Sequence, residues 1–379
     1  MITAFLGAVP FDGLRMRPGR CVLVEGGRVA GLAEAPPAGA RVVRLAGGIL
    51  APGFVDVQVN GGGGVMLNDA PTAATMARIA EAHRPLGTTA LLPTLITDTE
   101  HKTRAALEAA AARPAGVPGL HLEGPHLAPS RRGAHDPALM RPLTEADVAL
   151  YAAARARVGV LVVTLAPEMA PPELIARLAR AGVIVSLGHS DCTADQAEAA
   201  FAAGARGVTH LFNAMSGLDH RAPGLAAAAL TSPGVWAGVI ADGHHVAPRM
   251  LRLALAAKRR RLFWVSDAMA PVGTEDDGFL LQGRPVRRVR GAGLPRLELA
   301  DGTLAGAALD LGAAVRFAVA SLGETPEAAL RRATADPAAF LRLSRSHGRL
   351  VPGARADLVN LGEDLAVRAI WRAGELPEP

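Results

Sequence analysis

Between residues 54 and 266, eight short apolar runs alternate with stretches of helical periodicity. A strand that is followed by a helix and a second strand builds a parallel sheet, because the helix returns the chain to the same edge. Eight such units predict an α/β fold with a (β/α)8 TIM-type barrel, and a doubly wound open sheet is the alternative. The predicted strands are 54–59, 88–93, 119–122, 158–164, 183–187, 207–209, 236–240 and 262–266.

Helical patterns separate most of these strands. Half of the residues are hydrophobic but only 3% are aromatic, so we expect a core of alanine, valine and leucine. The predicted helices are 73–83, 99–111, 144–154, 172–181, 193–203 and 247–257, with 309–322 and 326–333 closing the ring.

Both ends of the chain depart from this alternation and have β character. Residues 21–32 alternate around Gly26-Gly27, a hairpin pattern, and Pro52-Gly53 interrupts the chain before the first barrel strand. We predict that 1–50 and 348–379 form one small β-sandwich domain beside a catalytic barrel at 51–347. Two unrelated β appendages are the alternative.

Charge and cysteine content bear on partners and compartment. The formal net charge is +5, arginines are scattered, and the one tight basic cluster, 258–261, is expected to be a solvated helix end. With few aromatic residues nearby, no nucleic-acid surface is expected. Two cysteines cannot build a disulfide framework. The N-terminal segment lacks a basic n-region, so no signal peptide is expected, and no apolar stretch reaches the length of a membrane span. These features predict a soluble cytoplasmic protein.

Polar residues follow the predicted strands where each strand ends. The segment 183–215 reads as strand, helix and strand, and its two strands run into His189 and His210. Because the carboxyl ends of parallel barrel strands share one face, these histidines should meet there. The other strand-end residues are Gln58, Asn60, Glu123, His245 and Asp267.

Two histidines and a carboxylate are a common catalytic zinc set that leaves one position for water. Glu123, His189 and His210 supply this set, and a metal there would lower the pKa of water to about 7. Asp267 could then act as general base and acid, and His245 could polarise a scissile carbonyl. The alternatives are a ligand-orienting role for Asp267 and a structural role for His245.

Seven segments carry a resemblance to a known family. The segments are Pro52-Gly-Phe-Val-Asp-Val-Gln-Val-Asn-Gly, His121-Leu-Glu-Gly-Pro, Gly188-His-Ser, Thr209-His-Leu-Phe-Asn-Ala-Met, Ala241-Asp-Gly-His-His-Val, Val265-Ser-Asp-Ala and Asp301-Gly-Thr-Leu-Ala-Gly. By these motifs, which occur in family order over nearly the whole chain, the sequence resembles the amidohydrolase superfamily.

The resemblance implies a homodimeric barrel enzyme that binds a divalent metal, Zn²⁺ above all. The implied reaction is hydrolysis of N-acetylglucosamine 6-phosphate to glucosamine 6-phosphate and acetate. Glu123, His189 and His210 are implied to bind the metal, with Asp267 as acid and base. The implied substrate contacts are His135, His245, the backbone amides of Asn213 and Ala214, and Arg221 reaching the phosphate from the neighbouring subunit.

The chain departs from the superfamily pattern at two places. Many members carry His-x-His after the first strand and bind two metals, whereas this chain has Gln58-Val59-Asn60. Amide side chains are weak zinc ligands, so we expect one metal, with Gln58 and Asn60 as a possible remnant of a second site. His244 stands where an apolar residue is expected.

Three alternatives to this function remain open. The substrate could be the galactosamine epimer, or the enzyme could hydrolyse a cyclic amide. A non-catalytic barrel kept as an assembly subunit is the third, but such proteins lose metal ligands and this chain has a complete set.

Overall fold

The structure, a computed structural model, describes residues 1–291 and 293–375. Its strands are β1 (Ile2–Leu6), β2 (Val9–Pro10), β3 (Cys21–Glu25), β4 (Arg28–Ala33), β5 (Arg41–Arg44), β6 (Ile49–Pro52), β7 (Phe54–Val59), β8 (Gly61–Gly62), β9 (Val65–Met66), β10 (Thr88–Ile96), β11 (Gly119–Glu123), β12 (Val160–Leu165), β13 (Ile184–Leu187), β14 (Gly207–Val208), β15 (Trp236–Ile240), β16 (Leu262–Val265), β17 (Gly278–Leu281), β18 (Arg284–Val289), β19 (Arg296–Leu299), β20 (Leu304–Ala307), β21 (Leu358–Leu361) and β22 (Val367–Trp371). Its α-helices are α1 (Ala73–His83), α2 (Glu100–Ala111), α3 (Glu145–Val158), α4 (Pro172–Arg180), α5 (Ala194–Ala202), α6 (Leu225–Thr231), α7 (Pro248–Ala257), α8 (Leu311–Phe317), α9 (Pro326–Ala333) and α10 (Ala335–Phe340).

Eight of these strands form one parallel sheet in the order β7, β10, β11, β12, β13, β14, β15, β16. The order follows the chain without the reversal that a doubly wound sheet requires, so that alternative is wrong. The two ends also meet: the Asp267 N–H donates to Gln58 O at 3.0 Å, and Val59 forms a parallel bridge with Ala268. The predicted (β/α)8 barrel is confirmed.

Threonine side chains start several of the helices between the barrel strands. Thr144 and Thr193 each accept a hydrogen bond from the third helical N–H, and the side chains of Asp147 and Gln196 bond back to the cap. These capping boxes satisfy amide groups that a helix start leaves unpaired. Because the caps lie just outside the helices, the predictions that began at 144 and 193 were one residue early.

The strands near the two termini share one sheet. β6 pairs in parallel with β2 and antiparallel with β21, with Leu50 opposite Asn360, and β22 completes the order β2-β6-β21-β22. A second sheet has the order β4-β3-β1-β5. Phe5 packs edge-on against Trp371, with ring centroids 5.2 Å apart, inside a buried apolar cluster drawn from both ends of the chain. A small sheet domain therefore accompanies the barrel, as predicted.

By packing, the chain divides into two compact units. One holds residues up to Asp56, His83–Ala90 and the chain from Asp310 onward, and the other holds Val57–Ala82 and Leu91–Leu309. The domain limits predicted at 1–50, 51–347 and 348–379 stay a prediction.

Residues 278–307 hold a four-stranded antiparallel sheet, in the order β17-β18-β19-β20, that was not predicted. Its strands are short and rich in arginine, as in Arg284–Val289, so few residues alternate cleanly between apolar and polar. Leu281, Val286 and Leu297 pack with Met269 in one buried cluster, which stabilises the sheet.

The prediction of a solvated basic cluster at 258–261 was wrong for one residue. Lys258 is only 4% exposed, and its ammonium donates to Ala229 O at 2.7 Å and Ser232 O at 2.8 Å. These carbonyls come at the end of α6, where a helix lacks its own donors and attracts positive charge.

Among the described residues, no helix combines the length and apolarity that crossing a bilayer would need.

Candidate active site

Three predicted metal ligands converge at the carboxyl ends of the barrel strands. Glu123 is the last residue of β11, His189 follows β13, and His210 follows β14. His189 Nε2 and His210 Nε2 lie 3.2 Å and 3.0 Å from Glu123 Oε1, and 3.0 Å from each other. All three side chains are buried.

This arrangement fits a divalent cation. In a tetrahedral site with bonds of 2.0–2.2 Å, neighbouring ligand atoms lie roughly 3.4 Å apart, close to the distances here. His189 Nδ1 is 2.8 Å from Arg131 O, an acceptor only, so the ring proton sits on Nδ1 and the Nε2 lone pair faces the cluster. The His189 lone pair and the Glu123 carboxylate repel each other in this buried space, with His210 Nε2 3.0 Å from both, and a cation held between them would remove that repulsion.

Asp267, after β16, lies beside this cluster and is held by two amides. Gln58 Nε2 and Asn60 Nδ2 donate to Asp267 Oδ1 at 3.0 Å and 2.7 Å. Gln58 Nε2 also lies 3.1 Å from both carboxylate oxygens of Glu123.

The surroundings of Asp267 and Glu123 shift the pKa values of these two carboxyl groups in opposite directions. Burial and the negative charge of Glu123 raise the pKa of Asp267 to about 6. Burial also opposes ionisation of Glu123, but the adjoining rings of His189 and His210 hold its pKa well below the usual range. A carboxylate kept ionised beside one poised near neutral pH is the pattern of a ligand and a proton carrier.

His245 belongs to a dyad that the sequence analysis did not identify. Its Nδ1 lies 2.6 Å from Asp242 Oδ2, and Asp242 Oδ1 accepts from the backbone N–H groups of His244 and His245. Burial opposes ionisation of Asp242, but the bonds from His245 and the backbone lower its pKa. Asp242 therefore stays a carboxylate and orients the His245 ring. The segment Asp242-Gly-His-His was the available signal.

His135 reaches the same cavity from the loop after β11. The Thr97 N–H donates to His135 Nδ1 at 3.2 Å, so the ring proton is on Nε2. Burial and the neighbouring histidines lower the His135 pKa to about 3, which keeps the ring neutral. Gly133 allows the close approach of this loop. Its φ of +56° is one that most other residues seldom adopt, and an added Cβ would lie 3.3 Å from the His189 ring.

The remaining predicted residues fall in two places. Asn213 and Ala214 line the cavity, which has a volume of about 190 Å³, together with Glu123, His189, His210, Asp267, His245 and His135. The Asn213 N–H donates to His210 O at 2.9 Å, so it is already used within its own loop. Arg221 does not line this cavity and is exposed, and His244 Nε2 contacts Leu294 O at 2.6 Å.

The backbone around the cavity is strained at its functional positions. His189, His210 and Asp267 have φ values of 48°, 31° and 50°, in the left-handed region that side chains other than glycine seldom adopt. Such conformations cost about 1–3 kcal/mol each and cluster where function requires them.

Comparison with known proteins agrees with this site. The amidohydrolase family model matches residues 49–376. The chain is 43% identical to an N-acetylgalactosamine-6-phosphate deacetylase of Shewanella sp. (strain ANA-3), covering 88% of this chain and 84% of that protein. It is 38% identical to the N-acetylglucosamine-6-phosphate deacetylase of Homo sapiens, covering 87% and 83%. A crystal structure of N-acetylglucosamine-6-phosphate deacetylase from Pasteurella multocida matches with a TM-score of 0.94 at 31% identity, covering 100% of both chains.

The chain belongs to the amidohydrolase family, and it is a hydrolytic enzyme with a site for a divalent metal. Within the family, the relatives it matches are deacetylases of phosphorylated amino sugars. The family resemblance predicted from the motifs is confirmed, as is the prediction of an enzyme.

Proposed function

We propose that this enzyme is a deacetylase that hydrolyses N-acetylglucosamine 6-phosphate to glucosamine 6-phosphate and acetate. The observation that carries the proposal is one cavity in which Glu123, His189 and His210 converge beside Asp267 and His245. A three-ligand metal set next to a proton-carrying carboxylate is suited to amide hydrolysis. The substrate assignment rests on the human and Pasteurella multocida relatives.

Glu123, His189 and His210 would hold one divalent cation, for which we propose Zn²⁺ because nitrogen and carboxylate ligands in this number suit it. When bound, such a cation lowers the pKa of water to about 7 and polarises a carbonyl. Gln58 and Asn60 direct amide N–H groups toward the site, so they do not supply further ligands there.

Asp267 moves the proton. As the water oxygen bonds to the acetamide carbon, Asp267 takes a proton from that water, and it returns the proton to the amine nitrogen as the C–N bond breaks. Its buried position and raised pKa suit both directions of transfer near neutral pH. The products are acetate and the free amine.

His245 and His135 act on the substrate's oxygen atoms. With Nδ1 bound to the Asp242 carboxylate, an imidazolium at His245 can donate from Nε2 to the carbonyl oxygen as it gains negative charge. His135, whose proton is on Nε2, is a donor to a sugar hydroxyl. The backbone amide of Ala214 and the side-chain oxygen of Asn213 complete the proposed substrate contacts. The Asn213 Nδ2 already donates to His210 O at 3.3 Å and Leu211 O at 3.4 Å.

A phosphate group needs a cationic partner that the described cavity wall does not supply. Among the described residues that line it, none is lysine or arginine. Arg221 lies on an exposed loop, where its backbone N–H is held by Asp219 Oδ1 at 2.8 Å. We infer a homodimer in which Arg221 of each subunit reaches the phosphate in the other, because a guanidinium fork donates two hydrogen bonds to phosphate.

Both cysteines, Cys21 and Cys192, are buried free thiols. This fits the proposed cytoplasmic location, where thiols remain reduced.

The galactosamine epimer is a second candidate substrate, favoured by the 43% identity to the Shewanella deacetylase. The test is a comparison of kcat/KM for acetate release from both phosphorylated epimers and from unphosphorylated N-acetylglucosamine. We expect the gluco 6-phosphate to be preferred over both. Preference for the galacto 6-phosphate would transfer the assignment to that epimer, and equal turnover without phosphate would contradict the phosphate assignment.

A further inference from the structure

The side-chain amide of Gln58 contacts two carboxylates at once. Its Nε2 lies 3.1 Å from each oxygen of Glu123 and 3.0 Å from Asp267 Oδ1. An amide nitrogen has two hydrogens and only donates, so one hydrogen is directed to each carboxylate. Gln58 is 1% exposed, so water does not compete for these bonds.

Asn60 donates to the same oxygen of Asp267. Its Nδ2 lies 2.7 Å from Asp267 Oδ1, which therefore has two donors. A proton carried by Asp267 then belongs on Oδ2. Asn60 differs from Gln58 in one useful respect: its Nδ2 donates to Asp267 and Met269 Sδ, and not to Glu123.

The backbone holds Gln58 in register with Asp267. Gln58 O accepts from the Asp267 N–H at 3.0 Å and from Ser266 Oγ at 3.3 Å. The amide and the carboxylate it contacts are thus fixed on neighbouring strand ends, with little freedom to separate.

Two buried carboxylates that share one donor lie within roughly 6 Å of each other and repel strongly where water is excluded. We propose that Gln58 is a positioning residue that bridges Glu123 and Asp267 in place of a second cation. The bridge keeps Glu123 oriented toward the metal and leaves Asp267 Oδ2 directed at the hydrolytic water. This role rests on the proposed function, and it differs from that of a vestigial ligand because the amide acts through its N–H groups.

The test uses Gln58→Met, which keeps length and removes both donors, and Asn60→Leu as the matched control. Zn²⁺ affinity of metal-stripped protein is measured by competition with a chromogenic chelator, and the pH profile of kcat/KM is measured with zinc-loaded protein. For Gln58→Met we expect Zn²⁺ affinity to fall about 10- to 100-fold. The acid limb of the pH profile should move up by about one pH unit, because Asp267 loses a hydrogen-bond donor that stabilises its ionised form.

Asn60→Leu should move the acid limb of the pH profile in the same direction and leave Zn²⁺ affinity within about threefold, since Asn60 Nδ2 donates to Asp267 and Met269 and not to Glu123. Thermal melts report whether each variant folds. If Gln58→Met does not fold, Gln58→Glu keeps the shape and adds a third carboxylate, so its acid limb should move further upward.

A folded Gln58 variant with either Zn²⁺ affinity or the acid limb unchanged would overturn the bridge, since bridging requires both effects. If the unmodified enzyme turned over neither phosphorylated sugar, the proposed function would fail separately. The Zn²⁺ affinities of the Gln58 and Asn60 variants would then be the measurement that tests whether Gln58 bridges the two carboxylates.

Discussion

His189 Nε2 and His210 Nε2 lie 3.0 Å apart on the ends of different barrel strands, and both face Glu123 Oε1. The Arg131 carbonyl fixes the His189 tautomer from the other side of the ring. A cation bound by these atoms would tie β11 to the loops after β13 and β14. Metal binding and folding stability should therefore be coupled.

Removal of the metal should lower both activity and stability. A ligand present at 100 times its Kd adds about 2.7 kcal/mol to the free energy of unfolding, which corresponds to about 3 °C in Tm for a chain of this length. Calorimetry of chelator-treated and zinc-restored protein measures this. In Glu123→Gln the added zinc should change Tm far less. A chelator-stripped enzyme with full activity would contradict the metal assignment.

Asp267→Asn should retain the metal and lose turnover. The asparagine Oδ1 can still accept from Gln58 and Asn60, so the local structure is preserved, but the side chain no longer carries a proton. We expect kcat to fall about 10²- to 10⁴-fold. Single-turnover acetate release measures the loss, and metal analysis should show unchanged stoichiometry. Activity near that of the unmodified enzyme would remove Asp267 from the mechanism.

Asp242→Asn should reduce kcat through His245. The amide cannot supply the negative charge that pairs with the ring, so His245 loses both orientation and its counter-ion. We expect kcat to fall about tenfold or more with KM changed little. His245→Asn is the matched variant and should fall at least as far. If Asp242→Asn changed stability but not kcat, the dyad would be purely structural.

Arg221→Ala should raise KM for the phosphorylated sugar and leave the low activity on the unphosphorylated sugar unchanged. If Arg221 acts across subunits, a mixture with Asp267→Asn should regain activity, because each mixed dimer has one site with both residues. Random mixing predicts recovery to about a quarter of the normal rate. Mixtures without recovery, in protein shown to exchange subunits, would place Arg221 outside the neighbouring site.

Stability in acid should depend on Asp147. Burial opposes its ionisation, but hydrogen bonds from Arg141 and Thr144 lower its pKa from 3.8 to about 2. Because the pKa of Asp147 is lower in the folded state than in the unfolded state, its ionised carboxylate stabilises the fold. This stabilisation is fully present above about pH 4 and is lost as the pH falls toward 2. Urea unfolding of Asp147→Asn against the unmodified protein should show a difference in stability that shrinks across that window. A constant difference would contradict the assignment.

Much of the barrel could be predicted because its strands are short apolar runs separated by helices with clear periodicity. Phe54–Val59 and Trp236–Ile240 have the predicted limits, as does the helix Ala73–His83. The sheet at 278–307 was missed because its strands are short and arginine-rich. Its few apolar side chains are buried by packing with Met269, a residue outside the sheet, and no local pattern in the sequence indicates that contact.

The sequence by itself determined the barrel class, the family and the identity of the candidate metal ligands. These depend on periodicity and on residue types at strand ends, which are local properties of the chain. Only the tertiary structure decided the partners of those residues. Gln58 lies between Glu123 and Asp267, and Asp242 pairs with His245, because the barrel closes and its loops turn. Proton positions and pKa values follow from burial and neighbours, which no local sequence pattern specifies.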